Sequence, residues 1–334
     1  MNTEWSNLME FESRDLVERF FVNKFNREPN NNKILQITSN FTQAREYLKN
    51  VERSNNTVRP LLQYYAVMSL SKGLILCLNN AITEEQMKSS HGLDVKNWNQ
   101  VLKNKDFENL IISIGDGTFS ELITATTNSN YTSINSSGIQ WKTFSKIPDK
   151  GTQYTLKNIT NYFIDLEKEY NVWTDEKLLY LKFISYKTIN NFRTQIAIES
   201  FNDVQNIDLF FPDNFCSDKV VTRLENKTLI EYTKTDWKPN FTMERSNPFN
   251  IGSTCIIQAN NDGTGLNFLG NMYIISYVFG MMARYYPSSW INLINGSKGD
   301  KIYPYVCKLL DYIFSNYPKQ VLAFLNSPYE FEKK

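Results

Sequence analysis

The chain has 334 residues, 41% of them apolar and 14% aromatic, with 36 Lys and Arg against 35 Asp and Glu. A net charge of +1 excludes a global field that would draw in DNA or an anionic membrane, so any such contact has to come from a local patch. The four cysteines, Cys77, Cys216, Cys255 and Cys307, stand far apart and one histidine is too few for the usual zinc sets, so no metal and no cofactor is expected.

From Glu4 to about Asn80 the pattern is helical. "SRDLVERFFVNKF" places Ser13 at a helix N-cap, with Leu16, Phe20, Phe21 and Phe25 at helical spacing. "SNFTQAREYLKNVE" predicts a second helix and Pro60 opens a third as a first-turn proline. Residues 81–100 read as a loop with a short helical turn. "NLIISI", "LLYLKFISY", "RTQIAIES", "TLIEYTK" and "STCIIQAN" are strand signals, interrupted by one helix near "LKNITNYFIDLEKEY". From Leu266 a long apolar helix reaches Tyr286, Pro287 breaks it, and "DKIYPYVCKLLDYIFSNY" and "PKQVLAFLN" follow as further helices.

The order predicts an α+β fold, predominantly helical, with N- and C-terminal helical blocks packed together and a strand-rich middle segment. The expected divisions are residues 1–100, 101–262 and 263–334, the last forming one compact unit with the first. Leu61–Leu78 and Leu266–Ala283 carry Lys72, Asn267 and Asn271 among other polar groups, so both read as core helices and no membrane contact is expected. "MNTEWSNLMEFESRD" has no apolar leader core, which gives a cytoplasmic expectation.

Four features are candidates for chemistry. Tyr65, Met68, Ser69 and Lys72 share a helical face, and a sheltered ammonium there is either a structural ion pair or an anion-binding group. His91, before Gly92, is the candidate acid–base, against a role in pinning its loop. "IISIGDGTFSEL" and "NNDGTG" look superficially like phosphate loops but lack the glycine and lysine spacing, so both read as Asp-Gly turns. In "ARYYPSSW", Arg284 with Tyr285, Tyr286 and Trp290 offers a cation–aromatic surface, against simple packing.

Taken together, "RPLLQYYAVMSLSKGLILCLNN", "HGL", "GTFSEL" and "RYYPSSW" resemble the bacterial YaaC-like family over most of the chain. The resemblance implies a largely helical cytosolic protein with no established reaction, whose divergent members look like accessory genes of mobile and defence regions. The matching positions are Arg59, Pro60, Tyr64, Tyr65, Lys72, His91, Gly92, Arg284, Pro287 and Trp290. The helical Tyr-Tyr, Lys and His pattern is also similar to the HEPN group, some of whose members are ribonucleases. That group's arginine stands four to six intervening residues before its histidine, where this chain has Gln86, Glu85 and Glu84, so ribonuclease chemistry is not implied.

The expectation is therefore a non-enzymatic interaction or sensor component, with a protein partner or a second copy of itself, or with a nucleotide or nucleic acid. Its binding residues are Lys72, His91, Arg284, Tyr65 and Trp290. The alternative is an enzyme acting on nucleotide or nucleic-acid phosphate, with Lys72 and Arg284 holding the anion and His91 as acid–base.

Overall fold

The computed structural model describes residues 3–133, 140–199, 207–244, 253–260, 263–296 and 301–326. Its helices are α1 (Thr3–Leu8), α2 (Arg14–Phe25), α3 (Asn31–Arg53), α4 (Arg59–Leu78), α5 (Trp98–Asn104), α6 (Thr118–Ala125), α7 (Leu156–Thr160), α8 (Glu167–Thr174), α9 (Phe268–Tyr285), α10 (Pro287–Ile294) and α11 (Ile302–Leu325). The strands are β1 (His91–Val95), β2 (Ile111–Gly117), β3 (Ser129–Ser133), β4 (Gln140–Phe144), β5 (Gln153–Thr155), β6 (Tyr180–Asn190), β7 (Arg193–Glu199), β8 (Val220–Arg223), β9 (Lys227–Thr233), β10 (Asn240–Glu244) and β11 (Ser253–Ile257). The fold is α+β and predominantly helical, as expected.

Two compact units divide the chain: Met1–Thr126 with Asp149–Leu156 and Leu269–Lys334, and Thr127–Pro148 with Lys157–Phe268. Residues 101–126 thus belong with the terminal helices. In the first unit α4 is the central element, lying against α3, α6 and α11, which brings N- and C-terminal helices together. Tyr64, Val67, Leu70, Leu74 and Leu76 are buried along it, an arrangement that only an all-round apolar helix can satisfy. By length and composition α4 could cross a membrane, yet 72% of that window is buried inside the protein. A three-stranded antiparallel sheet, ordered β1–β2–β5, completes the unit.

In the second unit a six-stranded antiparallel sheet runs β10–β11–β6–β7–β9–β8, and β3 pairs with β4 separately. Ile196 and Ile198 of β7 share one face of the sheet and pack in one core with Ile230 and Tyr232 of β9, while Ala197 between them is buried as well. Phe210, Phe211 and Cys216 close the core over them.

The structure refines or corrects the expected elements, with Ser13 at its expected place. Helix α3 starts at Asn31, because Asn30 accepts the Lys33 N–H at 2.7 Å and caps it. Ser13 holds the N-cap position of α2 without a side-chain bond. His91 opens a strand, paired with β2, rather than lying in a loop. The helix expected near 156–170 is two short ones, α7 and α8, with a 3-10 turn ahead of α8. Helix α11 continues through Pro318, since Tyr317, Val321 and Phe324 are buried on either side of it and packing outweighs the lost backbone bond.

Candidate functional site

Four of the family-like motifs meet around His91. Gly92 has φ +78° and sits in a register irregularity between His91, opposite Gly117, and Leu93, opposite Ile114. Such a bulge re-aims the side chain before it, and a Cβ at residue 92 would lie 2.9 Å from the Phe119 nitrogen, so the close approach requires glycine. The "GTFSEL" stretch is therefore not an Asp-Gly turn. Its Asp116 and Gly117 end β2, which runs straight into α6, and the Thr118 N–H donates to the Ser90 carbonyl at 2.9 Å. In "NNDGTG" the Asp262 of the expected turn lies outside the described residues; Gly263 N–H donates to the Asn260 carbonyl at 2.9 Å.

The imidazole is half-buried, and its Nδ1 lies 2.5 Å from the Tyr64 hydroxyl of α4. Tyr64 and Tyr277 rings flank it at 5.4 and 5.6 Å. The Tyr273 hydroxyl donates to the His91 carbonyl at 3.3 Å, and Tyr277 donates to that of Leu93 at 3.0 Å. Helix α9 reaches this position because residue 280 is glycine: a Cβ there would stand 2.7 Å from the Cβ of Tyr64. Beside Tyr64, the Tyr65 hydroxyl accepts from Arg284 at 2.7 Å, and its ring stacks on Tyr47 at 5.6 Å. Lys72, 29% exposed, faces Glu84 at 3.6 Å, a loose pair.

Electrostatics fix the protonation pattern. Burial, then the charges of Arg284 and Lys72, hold the His91 pKa below its ordinary 6.5, so the ring is neutral at pH 7. Burial pushes the Tyr64 and Tyr273 hydroxyls upward and Tyr277 up to about 12, so all three keep their protons. Against the weak Met68 sulfur at 3.8 Å and the neighbouring Tyr273 hydroxyl, a neutral imidazole nitrogen is the stronger acceptor, so the Tyr64 proton is assigned to Nδ1. The imidazole then carries its own proton on Nε2, to which no hydrogen bond is made among the described residues. Arg284 likewise has no carboxylate partner among them. The result is a cluster of donors, Nε2–H of His91, the guanidinium, the ammonium and the Tyr65 hydroxyl, beside aromatic faces. Chemically it is complementary to an anion.

Lys72, His91, Arg284 and Tyr65 are thus brought together, whereas Trp290 is not. Its ring is buried against Phe279 at 6.3 Å and its indole N–H donates to the Asn56 carbonyl at 3.0 Å. Arg59 pairs with Asp311 at 2.6 Å, and Pro60 and Pro287 start α4 and α10. The positions where a ribonuclease would need its arginine form a 3-10 turn, with Glu85 accepting from Gln36 at 2.8 Å. Sequence reasoning missed Tyr273, Tyr277 and Gly280. Their spacing with Arg284, at steps of four, three and four along α9, is a helical-face signal that could have found them. Among the described residues no group of His, Cys, Asp or Glu is arranged to hold a metal.

Comparison with known proteins places residues 9–325 under the family model described as YaaC-like Protein. No curated protein and no solved structure matches the chain.

Proposed function

The chain belongs to the YaaC-like family, and from that premise we propose that it is a non-enzymatic sensor component that recognises the phosphate of a nucleotide or nucleic acid at the His91 cluster. The observation that carries this is the all-donor arrangement of His91, Arg284, Lys72 and Tyr65 beside the half-buried Tyr65 ring and the exposed Tyr285 ring, over which Arg284 lies at 5.0 Å. A phosphate accepts from each of these groups, and the rings offer a stacking face for a base.

Binding rather than catalysis is favoured by what orients the imidazole. A histidine acting as base is usually steadied by a carboxylate that stabilises its charged form. Here the partner is the neutral Tyr64 hydroxyl, and two cations disfavour imidazolium further. The enzyme reading is supported by the half-buried imidazole, whose second ring nitrogen makes no hydrogen bond among the described residues. A cytoplasmic setting is supported by four cysteines that form no disulfide. A part in antiviral defence, with a protein partner or a second copy, is supported by the family resemblance.

The test is binding of fluorescent nucleotides and oligonucleotides to the full chain, followed by product analysis. The reading expects saturable binding, weakened about tenfold by Arg284→Gln, with the ligand recovered intact. Turnover abolished by His91→Ala would replace it with the enzyme reading. Absence of binding to any phosphate ligand would overturn both.

A further inference from the structure

A second site lies at the corner where α9 turns into α10. Leu102 of α5, Lys105 and Phe107 just after it, Met282 of α9, and Ser289, Asn292 and Leu293 of α10 line a cavity of about 270 Å³. A single water needs roughly 10–15 Å³, so the space is ligand-sized, at the small end of known sites. Its shape follows from local sequence. Lys105 takes the left-handed conformation that ends α5, at φ 57°, and turns the chain back towards Phe107. Trp98 packs on Tyr286 at 5.2 Å and ties α5 to the corner. Pro287 starts α10, whose residues 289, 292 and 293 then fall on one face.

The lining is divided by chemistry. Phe107, Met282 and Leu293 are buried and form an apolar floor with Leu102. Lys105, Ser289 and Asn292 stand nearer the surface, and the lining's one formal charge is positive. Methionine adapts to irregular apolar shapes, and a lining that includes a lysine, a hydroxyl and an amide offers donors to a compact anion.

We propose that this cavity binds a small amphipathic anion, a carboxylate or phosphate monoester on an aromatic or branched aliphatic body. The body rests on Phe107, Met282 and Leu293, and the anionic head lies between Lys105, Ser289 and Asn292. The site shares no residue with the His91 cluster, so the two readings stand or fall separately.

The experiment is ligand-observed NMR on the full chain with benzoate, phenylacetate, phenyl phosphate and indole-3-acetate, each beside a neutral amide or alcohol of the same shape. At least one anion should bind saturably, about tenfold more tightly than its neutral counterpart. Lys105→Gln should remove that preference. The measurement is made in an Arg284→Gln background, which weakens the His91 cluster as a competing anion site; there Asn292→Trp, a surface change at the mouth, should block binding without lowering the melting temperature. No saturation by any of the four anions up to about 10 mM, where even fragment-sized ligands register, would overturn the proposal. So would anion binding that Asn292→Trp and Lys105→Gln both leave intact.

Discussion

Two lysines reach towards the apolar interior around α4, and they meet opposite surroundings. Lys33, at the start of α3, is 3% exposed, and its ammonium donates to the Asn79 carbonyl at 2.8 Å and to that of Ile82. Burial brings its pKa down to about 8. Two of its three N–H groups are held by backbone oxygens beyond the end of α4, so it fastens that end to α3. Lys72 lies two turns earlier on α4, with one loose carboxylate contact and His91 and Arg284 as neighbouring donors. The difference teaches that a sheltered cation is structural when backbone oxygens hold it, and available for a ligand when its neighbours are donors like itself.

Substitutions sharpen that contrast. Lys33→Met leaves two carbonyls without their buried donor and should lower stability by about 2 kcal/mol or more, read from a denaturant midpoint, with phosphate binding unchanged in the folded protein. Gly280→Ala pushes a methyl against the backbone-anchored Tyr64 and should cost about 1–3 kcal/mol while weakening binding, because it displaces the residue that holds His91.

The His91 effect is smaller and depends on pH. Its pKa is lower folded than unfolded, so as the pH falls the unfolded chain takes up the proton first. The neutral imidazole's stabilising contribution is complete above the ordinary 6.5, declines through it, and levels off below the folded value. Melting curves from about pH 7.5 to 5.5 should show that slope in the wild type and lose it in His91→Gln. Smallest of all, Lys72→Gln should change stability by no more than about 0.5 kcal/mol, yet weaken nucleotide binding measurably. A large stability loss there would erase the distinction between the two lysines.

Much of this architecture was legible. The all-round apolar α4, the strand runs of the second unit and the break at Pro287 are periodicity and punctuation, which local sequence encodes directly. The capping Asn30 and the buried Lys33 were not, because "NNNK" looks like surface loop until the carbonyls at 79 and 82 are folded onto it. His91 as a strand residue escaped because β1 is five residues long and its pairing with β2 is a long-range fact. Lys72, His91, Arg284 and Tyr65 could be gathered by motif, but Trp290 belonged to the same motif and went to the core. Motif membership says that a position is constrained. Whether packing or chemistry constrains it depends on which hydrogen-bonding groups remain unused after folding.

The chain's single histidine makes the central claim directly measurable. Protein labelled with ¹⁵N-histidine gives one imidazole, whose two nitrogen shifts report the tautomer and whose response to added inorganic pyrophosphate reports the anion. The ring should be neutral at pH 7 and protonated on Nε2, its signals should shift saturably with pyrophosphate, and the response should be lost in Arg284→Gln. A ring protonated on Nδ1, or one whose signals ignore pyrophosphate, would contradict that claim.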